Sequence, residues 1–386
     1  MKIEISLVII FLFGLCDGKL AGLNNINMTG YSKNEIPFLE DENKTVNINI
    51  SIYVLNIGNL NTVEMTFEVE MYLELDWMDP RLAFKKYHND SYILIAGDTA
   101  YDNIWVPDLF VRNMKYTESS KFLNDLSGVM IYPEGRVWLS SRMRVVSHCE
   151  MDLIVYPFDK QSCNLMMISY LYNTGVMSLH WSKDPVVIDK MRDGRDRKPD
   201  TWMGLSIVDT KTDQKKYVYP ITKIEYEFMI ATFVMKRKSQ YFLLRGFIPS
   251  SLLVSLTWAS FWLPTSSIPA RVALVVTSFL ASIVLYQGST LHVDQMSIMQ
   301  IYLLGNIAFT GLTLIEFLLA INAERKENRV MAVTTQSERD GTKGKNSPKY
   351  IRKEIRSSVD RKARYMMPVM YLIYVGVFVA VAAWLK

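Results

Sequence analysis

Apolar and polar residues alternate strictly in two stretches of the first part of the chain, 46–54 and 67–77. A period of two is typical of half-buried strands, with one face toward a core and one toward water. Shorter strand-like runs follow at 128–146, 164–172, 176–181, 201–208 and 221–235, separated by Pro, Gly and Asp. This series of short strands predicts a sandwich of antiparallel sheets. The charge-rich stretch 186–200 is predicted to be a solvated loop.

Beyond residue 240 the alternation gives way to long apolar runs. Four of them are long enough to cross a bilayer core, at 241–263, 268–291, 298–323 and 365–385. Lys and Arg are concentrated between the third and fourth runs, which favours a cytosolic position for 324–364. Within it, 334–348 is predicted to be disordered, and 349–364 is compatible with a basic helix at the membrane surface. The predicted fold class is therefore mixed: an extracellular antiparallel β-sandwich followed by a four-helix transmembrane bundle.

The start of the chain predicts export. Lys2, an apolar run and then small polar residues give 1–18 the pattern of a secretory signal peptide. The expected organisation is then an extracellular part at 19–240, three spans within 241–323, a short cytoplasmic loop at 324–364, and a fourth span with an extracellular C-terminus at 365–386. N-glycosylation sequons stand at Asn27, Asn43, Asn49 and Asn89, all in the part expected outside.

Cysteine usage agrees with an oxidising compartment. Cys16 falls in or beside the signal-like segment, which leaves Cys149 and Cys163 as the pair in the rest of the chain. Outside the cytosol such a pair favours a disulfide. Two thiols without a nearby His cluster make a poor metal site, so neither a metal nor a cofactor is expected.

The second apolar run, 268–291, carries many small and hydroxyl residues and predicts a pore-lining helix. Steps of four and three residues place one mixed stripe along it. Several copies around an axis would turn the stripe into rings, and apolar rings can close a pore by dewetting. The alternative is a helix that packs small residues against its neighbours. The stripe consists of Ala273, Thr277, Leu280, Val284, Gln287 and Leu291.

Charge in this region is sparse and positive. From Gly246 to Val293 there is no Asp or Glu, and the one formal charge is Arg271, just after the start of the predicted helix. Because a helix N-terminus is itself partly positive, Arg271 and the helix dipole together favour an anion. Arg271 also fits a topology anchor on the cytosolic side, and the two roles are compatible.

Several motifs in this order resemble the Cys-loop pentameric ligand-gated ion channels, from about Val46 to the end of the chain. The segment 149–163 is similar to the family's signature loop, including the tip Tyr156-Pro157-Phe158-Asp159. The other matching motifs are Trp77 with Asp79-Pro80-Arg81-Leu82, Trp105-Val106-Pro107-Asp108, Ile248-Pro249-Ser250 with Ser260-Phe261-Trp262, and Pro269-Ala270-Arg271-Val272.

The resemblance implies five like subunits in a lipid membrane, with small-molecule agonist sites between adjacent sandwiches and a central pore lined by the second span. Ala270 stands where cation-selective members carry an acidic residue, so an anion channel, passing chloride, is expected. The alternatives are a cation-selective channel, or an accessory subunit or orphan receptor not opened by standard transmitters. The plasma membrane, including postsynaptic sites, is the expected location.

Binding residues carry over from the family position by position. The principal face would hold Phe110, Arg112, Tyr170, Tyr217, Tyr219 and Tyr226, and the complementary face Tyr72, Glu74, Met130, Trp138 and Ser140. The pore would be lined by Arg271 and by the stripe defined above. The gating interface would comprise Tyr156, Pro157, Phe158, Asp159 and Arg237, with the signature loop meeting the linker 288–297 and Asp159 electrostatically linked to Arg237.

Glu74 departs from the family pattern. Receptors for glycine, GABA and glutamate typically carry an arginine here, which holds the agonist carboxylate. A glutamate would repel that group, so the hypothesis is a cationic or amphipathic ligand held by aromatic rings. Arg112 could supply the missing positive charge or pair with Glu74.

Other classes of function fit the chain poorly. Its His residues at 88, 148, 180 and 292 form no recognisable metal or nucleophile arrangement, which argues against an enzyme. The predicted spans exclude a secreted binding module, and a midplane transporter would want charges inside the spans. A net charge of +4 is too small to argue for nucleic acid.

Overall fold

The strand-like stretches of the first part of the chain form a larger and a smaller β-sheet, and two further short strands pair with each other. In a computed structural model, the described residues are 26, 28–38, 44–86, 91–121, 124–189, 191–192, 195–196, 205–263, 267–289, 295–339 and 348–384. Among these residues the larger sheet has seven strands and the smaller sheet has four. The two-sheet fold and the four helices that follow confirm the predicted fold class.

The strands have the following bounds. They are β1 (Val46–Asn61), β2 (Thr66–Met78), β3 (Ile93–Ala96), β4 (Leu109–Val111), β5 (Met114–Ser119), β6 (Ser127–Ile131), β7 (Arg136–His148), β8 (Lys160–Ser169), β9 (Met177–Ile188), β10 (Met191–Arg192), β11 (Arg195–Asp196), β12 (Leu205–Val218) and β13 (Glu225–Arg237). A short helix, α1 (Gly97–Asn103), follows β3. The larger sheet has the order β3-β6-β7-β2-β1-β9, with β5 also paired to β7, and the smaller sheet has the order β12-β13-β8-β4.

The core between the sheets is built from the apolar phase of the alternation. On β2, every predicted inward residue from Phe67 to Trp77 is buried, and so is the Val and Ile series of β1. The rings of Phe67 and Phe233 meet across the two sheets with centroids 6.3 Å apart. The outward phase of β2 is therefore left on the surface, where the predicted binding residues lie.

The structure corrects several predicted strand boundaries. The run 128–146 is a hairpin rather than one strand, because Gly135 turns the chain with a φ of 94° between β6 and β7. β1 continues to Asn61 through two register shifts, and β13 begins at Glu225, after a turn in which Lys223 has a φ of 58°.

The loop prediction for 186–200 was wrong over its described part. Val186 to Ile188 extend β9 alongside Ile52–Val54, and β10 pairs with β11. Charged side chains are compatible with strands whose outer faces are solvated, so charge density alone did not identify a loop. The β1–β9 pairing is parallel, so the sandwich is not antiparallel throughout.

Within the described part of the chain, four helices are long and apolar enough to cross a membrane. They are α2 (Gln240–Trp262), α3 (Ile268–Ser289), α4 (Ile298–Arg339) and α5 (Pro348–Trp384), with apolar windows at Gln240–Trp262, Ile268–Gly288, Ile298–Leu319 and Lys362–Trp384. Inside α2 a wider π-helical turn, Leu243–Phe247, comes just before Pro249. The ring of Pro249 would crowd the carbonyl four residues earlier, and the wider turn relieves that conflict.

The predicted cytoplasmic segment is more helical than expected. α4 continues to Arg339 and α5 begins at Pro348, so the described residues of 334–348 are not disordered in this structure. Polar side chains are tolerated in a helix that projects beyond the apolar window, which explains the error. The prediction of a basic helix over 349–364 agrees with α5.

Polar side chains join three of the long helices inside the bundle. Asn306 donates its amide to Ser250 Oγ at 2.9 Å, and Tyr371 donates its hydroxyl to Asn306 Oδ1 at 3.1 Å. Tyr302 shares hydrogen bonds with Ser251 at 2.7 Å and with Tyr371 at 3.2 Å. We call these five residues of α2, α4 and α5 the tyrosine cluster. Hydrogen bonds of this kind stabilise helix packing inside a membrane, because no water is present there to satisfy the same groups.

By internal contacts the chain divides into two units: Met1–Met151 with Lys160–Lys236, and Asp152–Asp159 with Arg237–Lys386. The tip of the 149–163 loop thus belongs with the helices, whereas both cysteines belong with the sheets. Cys149 and Cys163 form the expected disulfide, with Cα atoms 5.2 Å apart. The predicted domain boundaries stay predictions, and the signal-like segment lies outside the described residues.

Candidate ligand-binding and pore sites

An aromatic cluster occupies the hairpin formed by β12 and β13. Tyr219 contacts Tyr217 with ring centroids 5.2 Å apart and Tyr226 at 5.4 Å, and Tyr217 also meets Phe228 at 6.1 Å. All three contacts are edge-to-face, the geometry that aromatic quadrupoles favour. We call Tyr217, Tyr219, Tyr226 and Phe228 the aromatic hairpin. It brings together three of the residues predicted for the principal face.

Arg112 lies against the aromatic hairpin. Its backbone N–H donates to Met166 O at 2.7 Å, which anchors the residue at the end of β4. The guanidinium carbon is 5.2 Å from the Phe228 ring centroid and 6.0 Å from that of Tyr219. Within the described part of the subunit no ion pair joins Arg112 to Glu74. The positive group is therefore placed over rings rather than over the glutamate.

Phe110 and Tyr170 form a separate pair with centroids 6.0 Å apart. Asp108 holds the turn that presents Tyr170, because it accepts bonds from Ser169 Oγ at 2.6 Å and from Leu171 N at 2.7 Å. The residues on either side of Tyr170 are thus held in place, while Tyr170 itself is 75% exposed. A large exposed aromatic on a fixed turn suits contact with a ligand or a neighbouring subunit.

The predicted complementary residues share the outer face of the larger sheet. In the strand register Glu74 lies between Ser51 of β1 and Ser140 of β7, and Trp138 lies between Asp76 and Met130. Tyr72 meets Tyr53 with ring centroids 6.2 Å apart. The structure therefore brings these predicted residues onto one continuous surface.

A cavity of about 300 Å³ opens on this surface beside Glu74. Two tryptophans, Trp138 and Trp181, contribute to its lining, together with two carboxylates. Asp76 is neutralised by Arg136 at 3.0 Å, whereas Glu74 accepts a bond from the Ser51 hydroxyl at 3.2 Å. The lining residues are Asn49, Ser51, Glu74, Leu75, Asp76, Trp138, Trp181, Ser182 and Lys183.

Burial raises the pKa of Glu74 above its ordinary value, and the hydrogen bond from Ser51 opposes that shift. Burial also raises the pKa of Asp76, against the lowering effect of Arg136. Beside the cavity, burial and Asp189 raise the pKa of Tyr53 to about 12, and its hydroxyl donates to Asp189. The cavity therefore combines two tryptophans with a carboxylate that a bound cation would help to ionise.

Sequence reasoning missed Phe228 and Trp181. Phe228 continues the face of Tyr226 at a step of two, so strand alternation could have found it. Trp181 lies beside the cavity because β9 pairs in parallel with β1, where Trp181 is opposite Ile50. No local sequence pattern predicts that pairing.

The tip of the 149–163 loop makes an ion pair with Arg237, as the sequence predicted. Arg237 Nε donates to Asp159 Oδ1 at 3.0 Å and Nη2 to Oδ2 at 3.3 Å. The guanidinium also lies 4.9 Å from the ring centroid of Tyr156, and Phe158 packs against Phe247 at 6.2 Å. Both charged side chains are largely buried, so the pair is shielded from water.

The same loop is hydrogen-bonded near the start of α4. Ile298 N donates to Ile154 O at 2.8 Å, and Leu153 N donates to the Gln295 side chain at 2.9 Å. These bonds agree with the expectation that the loop meets the end of the 288–297 linker, of which 290–294 lies outside the described residues. Pro157 occupies the tip between Tyr156 and Phe158. The gating role of these residues stays a prediction.

On α3 the predicted pore stripe is exposed and the opposite face is buried. Leu280 is 55% and Val284 66% exposed, and Ala273, Thr277 and Gln287 are exposed with them. Val275, Ser278 and Ser282 are buried against the bundle. The stripe is thus exposed in the single subunit, and its pore-lining role stays a prediction. Leu291 lies outside the described residues.

Arg271 requires a correction. Its side chain is only 3% exposed, and its guanidinium donates to Leu263 O from Nε at 3.0 Å and from Nη2 at 2.6 Å. In this subunit Arg271 therefore points to the end of α2 and does not join the exposed stripe. A long arginine can leave the face on which its Cα lies, which the spacing of Cα positions does not reveal.

Two family models match the chain. The neurotransmitter-gated ion-channel ligand binding domain matches residues 23–239, and the neurotransmitter-gated ion-channel transmembrane region matches 247–339. The first match alone spans more than half of the 386 residues. The chain belongs to the neurotransmitter-gated ion-channel family. The resemblance drawn from its motifs is confirmed, and the family assembles as pentamers.

Several members of this family are similar over much of the chain. A serotonin-gated chloride channel of Caenorhabditis elegans is 27% identical over 84% of this chain and 63% of its own length. A glycine receptor subunit beta-type 4 of the same nematode is 30% identical over 65% of this chain and 50% of its own length. Human gamma-aminobutyric acid receptor subunit rho-2 is 29% identical over 73% and 60%. The chain thus spans between half and two thirds of the length of these relatives.

Of the four sequons, only Asn49 lies among the described residues. It is exposed on β1 and contributes to the cavity beside Glu74. Asn27, Asn43 and Asn89 lie outside the described residues. Glycosylation of each position stays a prediction for this family member.

Proposed function

We propose that the chain is a subunit of a ligand-gated anion channel, and that five copies surround a chloride-conducting pore. The observation that carries the proposal is α3, an apolar helix with one exposed stripe of Ala273, Thr277, Leu280, Val284 and Gln287. Rings of these side chains would form a pore whose apolar level, at Leu280 and Val284, closes by dewetting.

Anion selectivity is supported by the charge of the same region. No acidic residue occurs on α3, and Ala270 stands where cation-selective members carry one. The positive end of the helix and the nearby Arg271 favour anions even though the arginine is turned away from the stripe. One of the relatives named above is named as a chloride channel, which supports this assignment.

The ligand that the geometry favours is an amine. In the cavity, the carboxylate of Glu74 has no cationic partner among the described residues, and Trp138 and Trp181 supply faces that attract a cation. The aromatic hairpin would close over the ligand from the adjacent subunit. One relative is named as serotonin-gated, and serotonin is itself an amine.

The orientation proposed in the plasma membrane places the β-sheets and the C-terminus outside. The basic residues of 324–364 support a cytosolic position for that segment, since positive residues collect on the cytosolic side.

A ligand screen with ion substitution tests the proposal on the chain expressed alone. We expect primary amines, but not glycine or GABA, to evoke currents whose reversal potential follows the chloride gradient. A reversal potential that follows sodium would make the channel cation-selective. Glycine or GABA currents that survive Glu74→Ala would overturn the amine assignment, and currents that need a second subunit would overturn the homopentamer.

A further inference from the structure

Side chains of the smaller sheet close one edge of the larger sheet. β9 is the last strand of the larger sheet, and one of its sides pairs with β1, where Leu179 lies opposite Ile48. On its other side Leu179 N donates to Glu227 at 2.8 Å, and Leu179 O accepts from the side-chain amide of Gln214 at 3.1 Å. An edge strand normally leaves such groups to water or to another strand. Here β12 and β13 supply the partners.

Glu227 is the centre of this arrangement. It is only 5% exposed, and besides Leu179 N it accepts bonds from Gln214 Nε2 at 2.6 Å and from Ser178 Oγ at 3.3 Å. Within the described part of the chain no Lys or Arg forms an ion pair with it. A buried carboxylate whose hydrogen-bond donors moved away would be left unsatisfied, which is costly. The bonds to Glu227 therefore hold β9, β12 and β13 together.

These bonds lie between the two predicted ligand surfaces of one subunit. On one side, Glu227 is flanked in sequence by Tyr226 and Phe228 of the aromatic hairpin. On the other, Trp181 of the cavity lies two residues after Leu179, and its Nε1 donates to Asp213 O at 3.1 Å. Asp213 directly precedes Gln214, which bonds to Glu227. A movement of Trp181 would therefore displace Asp213 and, through the next residue, the hydrogen bonds of Glu227.

We propose that Glu227 is a positioning residue that fixes the aromatic hairpin to β9 and so couples the two ligand surfaces of each subunit. The inference rests on the proposed function, because each subunit of a ring shares one ligand site with each neighbour. A ligand that moves the hairpin at one site then alters Trp181 and the cavity at the next. Coupling of this kind is seen as cooperativity between sites.

The first experiment needs no ligand and uses hydrogen–deuterium exchange of the purified full chain. Glu227→Gln keeps the size of the side chain and removes its charge. The control on the same face of β13 is Glu225→Gln, which removes only an exposed ion pair with Lys216 at 3.3 Å, a kind of contact that contributes little to stability. We expect peptides that contain Leu179 and 217–224 to exchange roughly tenfold faster in Glu227→Gln alone. Unchanged exchange would show that Glu227 does not hold the hairpin. Gln214→Leu removes the hydrogen bonds from the Gln214 amide to Leu179 O and Glu227. This variant should also speed exchange, and it can be measured even if Glu227→Gln does not fold.

The second experiment records amine-evoked currents from the same variants. For Glu227→Gln we expect the half-maximal concentration to rise roughly tenfold and the Hill slope to fall, with the maximal current per surface channel unchanged. An unchanged slope, or an equal shift in Glu225→Gln, would overturn the coupling. Absence of any ligand-evoked current in the wild type would instead overturn the channel assignment, whereas the exchange result would still decide whether Glu227 fixes the hairpin.

Discussion

At the scale of single residues, the proposed amine site depends on the charge state of Glu74. Its carboxylate is half-buried and bonded to Ser51, so water stabilises the ionised form less than it would on an open surface. A ligand ammonium would restore that stabilisation, and a ligand carboxylate would not. In the proposed site, Glu74 would therefore favour an amine over a carboxylate ligand, and Lys183 is the basic residue of the same lining.

Acidification is expected to weaken amine binding at Glu74 at a less acid pH than an ordinary glutamate would require. A cationic ligand is attracted by the ionised carboxylate of Glu74, and protonation of that carboxylate removes the attraction. Burial raises the pKa of Glu74, so protonation begins at a higher pH than for an ordinary glutamate. The half-maximal amine concentration should rise as the pH falls through that pKa, by about tenfold if the contact contributes about 1.4 kcal/mol. Concentration–response curves at stepped pH measure this effect. Glu74→Gln should give flat curves, and a pH dependence that persists in it would assign the titration to another group.

The place of a residue in the candidate site could be predicted where it follows from alternation along one strand. It could not be predicted where it depends on pairing between strands far apart in the chain. Alternation placed Tyr72 and Glu74 on the outer face of β2, as the structure has them. Trp181 escaped because its place beside the cavity follows from a parallel pairing between strands far apart in the chain. Arg271 was misplaced because its long side chain leaves the face of its own helix.

At the scale of elements, hydropathy identified the spanning helices well and their polar extensions poorly. A span is set by the thickness of the bilayer, which the apolar windows reproduce. No such length constrains a helix in water, so the continuation of α4 to Arg339 needs local propensity and packing that the pattern did not show. The exposed stripe of α3 is the element on which the proposed pore depends.

Cysteine substitution along α3 should distinguish a pore from a lipid-facing surface. Val284→Cys is expected to let a charged, membrane-impermeant thiol reagent reduce the current by most of its amplitude, because position 284 would lie on the water-filled axis. Val377→Cys on α5 is a matched control, since Val377 is 58% exposed and lies on a different spanning helix. Equal effects at both positions, or none at position 284, would contradict the assignment of the pore to α3.

At the scale of the whole molecule, the loop 149–163 joins the two units through the chain itself. Its disulfide belongs to the β-sheets, whereas its tip from Asp152 to Asp159 groups with the helices. The buried pair of Asp159 and Arg237 fixes this tip to the residue at which the chain leaves β13 for α2. The family motif predicted both partners, but their bidentate geometry depends on the folded loop.

Breaking the pair of Asp159 and Arg237 should impair opening more than ligand binding. Asp159→Asn and Arg237→Gln each leave one buried charge without its partner, which commonly costs about 3–5 kcal/mol. We expect either single variant to lose most of the ligand-evoked current, and the double variant to lose less than the sum of the two effects. Current normalised to surface expression, together with ligand-binding midpoints, measures both effects. Strictly additive losses would show that the two residues act independently.

The tyrosine cluster has a consequence for biosynthesis. During translation α2 and α4 enter the membrane before α5, so Tyr302 and Asn306 first meet lipid without the hydroxyl of Tyr371. Gly305 leaves space beside them that Tyr374 later fills, since a Cβ there would collide with the Tyr374 hydroxyl. We therefore expect these polar groups to draw α5 to α2 and α4, in addition to apolar contacts such as that of Phe378 with Phe247. A nascent chain halted before Tyr371 would expose a polar seam for the quality-control machinery of the membrane to recognise.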